Sequence, residues 1–230
     1  MTVVISAAPG TASNSLCATL EKHMNCKALS LKSGGGIGHL VVTIPRRKIL
    51  LKKLTLNLGG KTLIYGHIFP TAYNLDLIEK HFGSGKFLIT YRNIFDQIKY
   101  FYKWHIRVGR GPLSIQAQGG EPNEEQNLNI HPDLDLNILL TLFFYKHWFA
   151  IISENKMQKL ELLKFDEIVS FCPTFQEKIE TITGKPLTIK EVERENIHPH
   201  ENFTVLPRHI ELVENFVNIN SNIDFSPILD

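Results

Sequence analysis

Four short apolar runs, each leading toward a segment with helical spacing, constrain the fold of this chain more than any other feature. They are Val3–Ser6, Thr62–Tyr65, Lys86–Tyr91 and Leu160–Lys164. The run Lys86–Tyr91 is apolar along nearly its whole length, which is typical of a parallel strand covered on both faces. Strands that alternate with helices predict an α/β fold: a single three-layer, doubly wound domain over residues 1–230 with a central parallel sheet.

The predicted helices lie between and after these strands. Asp133 is predicted to cap the longest of them, and Gly184 to end the one that follows the last strand. Residues 113–129 show no periodicity and predict a mobile surface loop, whereas residues 185–230 form a largely helical C-terminal extension. The helices are predicted at Leu16–His23, Arg46–Leu54, Asn74–His81, Ile94–His105, Leu134–Asn155, Thr174–Thr183 and around Ile210–Val217.

Composition narrows the class of protein. The formal net charge of +2 gives no reason to expect a nucleic-acid partner. The cysteines are three in number and lack metal-ligand spacing, which favours free thiols in a reducing compartment. The longest apolar stretch, Ile138–Ile152, is shorter than the roughly 20 residues of a membrane-spanning helix, and no signal peptide precedes the first strand. We expect a cytoplasmic protein without a transmembrane segment; its oligomeric state is not readable from sequence.

Small and polar residues follow the first strand and lead into a helix: Pro9-Gly10-Thr11-Ala12-Ser13-Asn14-Ser15-Leu16. Such a strand–loop–helix unit binds anions, because loop amides and the helix N-terminus point the same way. The ATPase pattern G-x-x-x-x-G-K-[ST] is absent, which disfavours a small-molecule kinase.

The segment resembles the 5′-phosphosulfate loop of sulfotransferases that use 3′-phosphoadenosine 5′-phosphosulfate. Proline, two hydroxyl residues and the large apolar residue match at Pro9, Thr11, Ser13 and Leu16. Ala12 replaces a glycine, and Asn14 replaces the second of two adjacent hydroxyl residues. Gly10 stands where the family has a basic residue that stabilises the bridging oxygen of the leaving group. The resemblance therefore implies a nucleotide loop of Pro9, Gly10, Thr11, Ala12, Ser13, Asn14 and Ser15.

A second segment, FLITYRNIFDQIKYFYKWH, resembles the 3′-phosphate segment of the same family. Arg92 follows a predicted strand, at the edge where open α/β sheets bind ligands, and its planar fork suits phosphate. Tyr100 stands where the family has a phosphate-binding serine, and Ile94 where it has proline. The alternative for Arg92 is a structural ion pair with Asp96.

A third segment, Gly66-His67-Ile68-Phe69-Pro70, resembles the stretch that carries the catalytic histidine in many sulfotransferases. A hydroxyl acceptor must lose a proton as it attacks sulfur, and a histidine with a near-neutral pKa is a suitable base. The alternative is a histidine that hydrogen-bonds a loop. A fourth segment, from Leu162 to Ile168, resembles a family strand, and its Asp166 and Glu167 are expected to organise the fold.

The resemblance implies a sulfotransferase without a metal that uses His67 as the base and Arg92 with Tyr100 at the 3′-phosphate. The acceptor would be a hydroxylated small molecule or carbohydrate. The charge absent at Gly10 would come from Lys32, Arg107 or the basic helix Arg46–Leu54. A non-catalytic nucleotide-binding protein on the same fold is the main alternative, because Gly10 and Tyr100 depart from the catalytic pattern.

Overall fold

The central sheet is parallel and five-stranded in the part of the chain that the computed structural model describes. That part comprises residues 1–26, 28–30, 62–66, 75, 79, 85–108, 132–154, 160–192 and 203–230. Its strands run in the order β2-β3-β1-β4-β5, and each neighbouring pair is parallel. They are β1 (Thr2–Ala7), β2 (Ala28–Ser30), β3 (Thr62–Gly66), β4 (Lys86–Tyr91) and β5 (Leu160–Lys164).

Helices follow the strands in the alternation that the sequence predicts. Two local signals fix their ends: Pro173 and Pro207 open their helices, where a missing N–H costs nothing, and Gly184 ends one of them with φ 68°. The described helices are α1 (Ser13–Met24), α2 (Ile94–Val108), α3 (Pro132–Ser153), α4 (Phe165–Ser170), α5 (Pro173–Thr183), α6 (Pro207–Ile219) and α7 (Ser226–Leu229).

The two faces of the sheet are covered by different helices. Alternate residues of β1 divide between them: Val4 joins a core with α2, α3 and α6, whereas Val3 and Ile5 join a core with α1 and α5. All six residues of β1 are buried, as expected for the central strand of three layers. The predicted fold class, a doubly wound α/β arrangement with a central parallel sheet, is confirmed.

Two predicted helix starts need correction, and one strand was missed. The short strand β2 was not predicted, because three residues are too few to show a period. Helix α1 begins at Ser13, three residues before the predicted start at Leu16, because the polar residues of its first turn hide the apolar spacing. Helix α3 begins at Pro132, so Asp133 lies in its first turn rather than before it; proline is preorganised for that opening position.

Several predicted features lie outside the described residues. Among them are the helix 46–54, most of the helix 74–81 and the loop 113–129. His67 also lies outside, one position after the end of β3.

Helix α3 meets the length and apolarity of a membrane-spanning segment over Leu134–Ser153. Its side chains nevertheless contribute to the core against the sheet: Ile138, Leu142 and Trp148 are fully buried there, and the Trp148 Nε1–H donates to Ser6 Oγ at 3.2 Å. The buried side of this helix packs against the sheet, α2 and α6, while Leu136 and Phe143 are exposed.

Candidate functional site

The strand order creates a switch point at the carboxyl end of β1. Its neighbours there are β3, where Ser6 pairs with Gly66, and β4, where Ala7 pairs with Thr90. Helix α1 leaves β1 toward one face of the sheet, and α2 leaves β4 toward the other. Open α/β sheets bind ligands in the crevice that such diverging connections leave.

Residues 9–15, here called the N-terminal loop, comprise the turn after β1 and the first three residues of α1. They lie at this crevice and include two left-handed backbone positions. Gly10 has φ 78° and Ala12 has φ 57° and ψ 22°. A non-glycine residue in this region costs roughly 1–2 kcal/mol, so Ala12 in place of the family's glycine is a strained replacement. The bend at Ala12 turns the chain directly into α1.

The first turn of α1 presents amides to the crevice. The Leu16 N–H donates to the Ala12 carbonyl at 3.0 Å, so Ser13–Ser15 form the first turn of the helix, whose N–H groups point along the axis toward its N-terminal end. The capping residue Ala12 has only a methyl group, and no acidic residue occupies the first turn. The helix dipole therefore favours an anion at this end.

Hydroxyl groups of the N-terminal loop are used to hold the loop itself. Thr11 is fully buried, and its Oγ1 donates to the Ala8 carbonyl at 2.7 Å and contacts Thr90 Oγ1 at 2.6 Å. The Thr11 hydroxyl is thus directed into the sheet and holds the loop against β4.

Tyr65 joins the loop to the end of β3. Its phenol donates to Asn14 Oδ1 at 2.7 Å, so the Ser13 hydroxyl, 2.9 Å away, donates to the phenol oxygen. Sequence reasoning missed Tyr65, although its place directly before Gly66-His67 at a strand end was the available signal. Ser15 is fully buried in the same turn.

Two carbonyls of the loop are held by side chains from β4 and α2. Arg92 Nη1 donates to the Gly10 carbonyl at 3.3 Å, and Gln97 Nε2 donates to the Pro9 carbonyl. Tyr145 of α3 completes this network, since its phenol donates to Gln97 Oε1 at 2.7 Å and accepts the Arg92 N–H at 3.3 Å. These contacts fix the backbone of Pro9 and Gly10 against β4, α2 and α3.

Gln97 was also missed by sequence reasoning. It lies three residues after Ile94 and one before Ile98, on the apolar face of α2, and is fully buried. A polar residue at an apolar-face position was the signal that could have identified it.

Arg92 lies at the predicted strand end but is almost covered, with 5% of its surface exposed. Its guanidinium stacks 4.0 Å from the ring centre of Phe165, the first residue of α4. Burial lowers the pKa of Arg92, while the charges of Asp96 and Asp166 act in the opposite direction. An arginine pKa starts so high that the group stays protonated, and Asp96 itself pairs with Lys99 at 3.0 Å.

Tyr100 packs its ring against Gly10. A β-carbon on residue 10 would lie 2.5 Å from Cδ1 of Tyr100, which is closer than nonbonded carbons approach. Burial raises the pKa of the Tyr100 phenol, and the charge of Arg92 opposes that rise. The two departures from the family pattern, at Gly10 and Tyr100, are therefore in direct contact.

The structure thus brings together residues 9–15, Arg92 and Tyr100 at one edge of the sheet. Glu167 lies apart from any acid–base pair: it accepts the Lys164 N–H at 3.1 Å and pairs with Lys178 at 2.8 Å, which confirms its predicted part in organising the fold. Within the described ranges, no three His, Cys, Asp or Glu side chains gather as a metal site would require.

A second buried polar cluster lies further along α2. Tyr102 contacts His209 Nδ1, and its oxygen accepts the Leu206 N–H at 3.1 Å. His209 Nε2 lies 2.9 Å from Asp135, which also pairs with Arg208 at 3.3 Å. Both Tyr102 and His209 are fully buried, so this cluster fastens α6 to α2 and α3.

Comparisons with known proteins give a structural likeness and no sequence match. No protein-family model and no curated protein sequence matches the chain. The chain is similar in structure to a sulfotransferase from Alicyclobacillus acidocaldarius, with a TM-score of 0.57 and 14% identity over 99% of this chain and 98% of that one. It also aligns with a sulfotransferase domain from the curacin biosynthetic pathway, with a TM-score of 0.43 and 12% identity over 98% of this chain and 92% of that one. At 14% identity, the likeness to the first of these proteins establishes the α/β fold.

Proposed function

We propose that this protein is a sulfotransferase that moves a sulfuryl group from 3′-phosphoadenosine 5′-phosphosulfate to a hydroxyl of a small-molecule or carbohydrate acceptor. One observation carries the proposal: the N-terminus of α1, which has no acidic residue in its first turn, lies at the switch point of the sheet beside a buried arginine. The likeness of the fold to a solved sulfotransferase supports it, as does the order of the sequence motifs.

In this proposal the N-terminal loop and the positive end of the α1 dipole hold the phosphosulfate end of the donor. The acceptor oxygen attacks sulfur and forms the new oxygen–sulfur bond, while the bond from sulfur to the bridging oxygen breaks. The bridging oxygen keeps the electron pair and leaves as the 5′-phosphate, and His67 takes the proton of the acceptor. Fixed positive charge around the loop stabilises the negative charge that develops on the leaving oxygen.

A second candidate is a nucleotide-binding protein without transferase activity. It is favoured by the contact between Gly10 and Tyr100, because the ring fills the space into which a basic side chain at position 10 would extend. A small-molecule kinase is a third and weaker candidate, since the loop has no lysine.

Calorimetric titration with the product nucleotide, 3′-phosphoadenosine 5′-phosphate, tests binding. The informative variant is Asn14→Asp, which keeps the acceptor for Tyr65 and adds a negative charge that the helix N-terminus tolerates. Two unit charges about 4 Å apart interact by about 4 kcal/mol at a protein surface, so we expect at least a tenfold loss of affinity. The matched control is Asn215→Asp on the exposed face of α6, which should bind as wild type.

Absence of binding to the wild type at millimolar nucleotide would overturn the proposal. If the nucleotide binds, transfer of labelled sulfuryl to a panel of hydroxylated acceptors separates the two main candidates. Turnover that His67→Ala abolishes supports the sulfotransferase, whereas binding without turnover of any acceptor supports the non-catalytic protein.

A further inference from the structure

Arg92 and Tyr100, the two side chains expected at the 3′-phosphate, both face the N-terminal loop instead. Arg92 donates to the Gly10 carbonyl at 3.3 Å and is closed on its ring-stacking side by Phe165 at 4.0 Å. With 5% of its surface exposed, it has little face left for a phosphate on the far side of the nucleotide. The positive charge of Arg92 therefore lies beside residue 10.

The ring of Tyr100 packs against the same residue, Gly10. Cδ1, Cγ and Cε1 of its ring would lie 2.5, 2.8 and 2.9 Å from a β-carbon on residue 10, so the ring occupies the space beside the Gly10 backbone. A serine in place of Tyr100 would end well short of that contact, and a basic residue in place of Gly10 would collide with the ring. The glycine and the tyrosine are thus one joint replacement.

Resting on the proposed function, we infer that Arg92 supplies at the 5′ end the positive charge that the residue at position 10 lacks, and that the site does not read a 3′-phosphate through Arg92 or Tyr100. The ligand class is then adenosine 5′-phosphates and 5′-phosphosulfates, with or without a 3′-phosphate. A guanidinium suits this task, because it remains charged in a buried position and its charge acts on a nearby anion without direct contact.

The first test needs only the wild-type protein and three nucleotides in calorimetric titrations. We expect adenosine 3′,5′-bisphosphate and adenosine 5′-phosphate to bind within about threefold of each other, and adenosine 3′-phosphate to bind at least tenfold more weakly, since a tenfold change corresponds to 1.4 kcal/mol. The inference is overturned if the bisphosphate binds tenfold or more tightly than adenosine 5′-phosphate. If none of the three binds, the proposed function fails and the inference fails with it.

Variants of Arg92 test whether this residue contributes to binding at the 5′ end of the nucleotide. Arg92→Gln should weaken the bisphosphate and adenosine 5′-phosphate by the same factor, about tenfold or more, whereas Arg92→Lys keeps the charge and should recover part of the loss. A loss confined to the bisphosphate would place Arg92 at the 3′-phosphate and refute the inference.

Tyr100→Phe keeps the ring against Gly10 and removes only the hydroxyl, so it serves if Arg92→Gln does not fold. We expect both affinities to stay within twofold of wild type. A selective loss for the bisphosphate would show that the phenol binds the 3′-phosphate, contrary to the inference.

Discussion

Helix α2 contributes one residue to each of two buried polar networks, and the networks differ in how they are completed. In the first, Arg92, Gln97 and Tyr145 hold the carbonyls of the N-terminal loop. In the second, Tyr102, His209 and Asp135 satisfy one another and the Leu206 N–H. The first network ends on backbone that faces a crevice, and the second is closed on itself.

This difference separates a network that prepares a site from one that fastens the fold. Buried polar groups require partners in either case, so burial of a tyrosine or histidine does not by itself indicate function. The composition of the closed network, an aspartate, a histidine and a tyrosine in a chain, resembles catalytic machinery, yet His209 and Tyr102 are fully buried. A substrate cannot reach them, whereas the loop held by the first network borders the switch point of the sheet.

The largest expected effect comes from Gly10→Ala. The left-handed backbone at φ 78° costs a non-glycine residue about 1–2 kcal/mol, and the collision with Tyr100 adds about 1–3 kcal/mol of overpacking. We therefore expect a loss of about 3 kcal/mol in the free energy of unfolding, measured by urea denaturation.

A double-mutant cycle isolates the contact between the two residues. In a Tyr100→Ser background, the added methyl group no longer meets the ring, so Gly10→Ala should cost about 1–3 kcal/mol less than in the wild type. Equal losses in both backgrounds would mean that Gly10 and Tyr100 are independent departures and would remove the basis for treating them as one replacement.

Removal of one tyrosine hydroxyl from each network tests whether the two networks differ in function. Tyr145→Phe strands the Arg92 N–H and Gln97 Oε1, and Tyr102→Phe strands the Leu206 N–H and one nitrogen of His209. Each buried group left without a partner costs about 1–3 kcal/mol, so both variants should lose about 2–3 kcal/mol of stability.

Only Tyr145→Phe should also weaken nucleotide binding, by about threefold to tenfold, because it loosens the hold of Gln97 on the Pro9 carbonyl. Calorimetry on both variants at a temperature where each is folded provides the measurement. Equal binding losses in the two variants would contradict the division into a site network and a fold network.

The closed network also predicts a dependence of stability on pH. Burial and the charge of Arg208 lower the pKa of His209 below its ordinary 6.5, while Asp135 acts to raise it. The folded state therefore binds the proton less readily than the unfolded state, so this contribution is complete above about pH 6.5 and is lost as the pH falls below that value.

Urea denaturation of wild type and His209→Gln between pH 5 and pH 8 measures it. The dependence of the free energy of unfolding on pH below about pH 6.5 should become less steep in His209→Gln than in the wild type. A slope that is unchanged in His209→Gln would mean that this histidine titrates alike in the folded and unfolded states.

Local pattern was sufficient to predict most of the fold. Strands β4 and β5 begin and end at the predicted residues, and Gly184 ends α5 as expected, because apolar runs and a left-handed cap are signals within a few residues of sequence. The strand order and β2 were not predicted, since pairing between distant segments is set by packing of the whole sheet.

The site was predictable only in its outline. The motifs placed residues 9–15, Arg92 and Tyr100 near one edge of the sheet, but the direction of each side chain depends on contacts across the chain. Arg92 stacks on Phe165, 73 positions away, and Gln97 reaches Pro9, 88 positions away. Neither contact has a signature in the local sequence, so the turn of Arg92 toward Gly10 had to be observed.

The smallest expected effect is a gain rather than a loss of stability, at the residue that precedes α1 in the N-terminal loop. Ala12 holds a left-handed conformation at φ 57° as the residue before α1, so Ala12→Gly relieves about 1–2 kcal/mol of backbone strain and costs about 0.4–1 kcal/mol through the more flexible unfolded chain. We expect a net gain of about 0.5–1 kcal/mol in the free energy of unfolding, with nucleotide affinity unchanged because the amide positions stay the same. The matched control is Asn25→Gly, at the left-handed residue that ends α1 with φ 50°, where asparagine already tolerates the conformation and the gain should be smaller. Destabilisation by Ala12→Gly would show that the methyl group packs usefully against the core of α1 and that the left-handed turn carries no net strain.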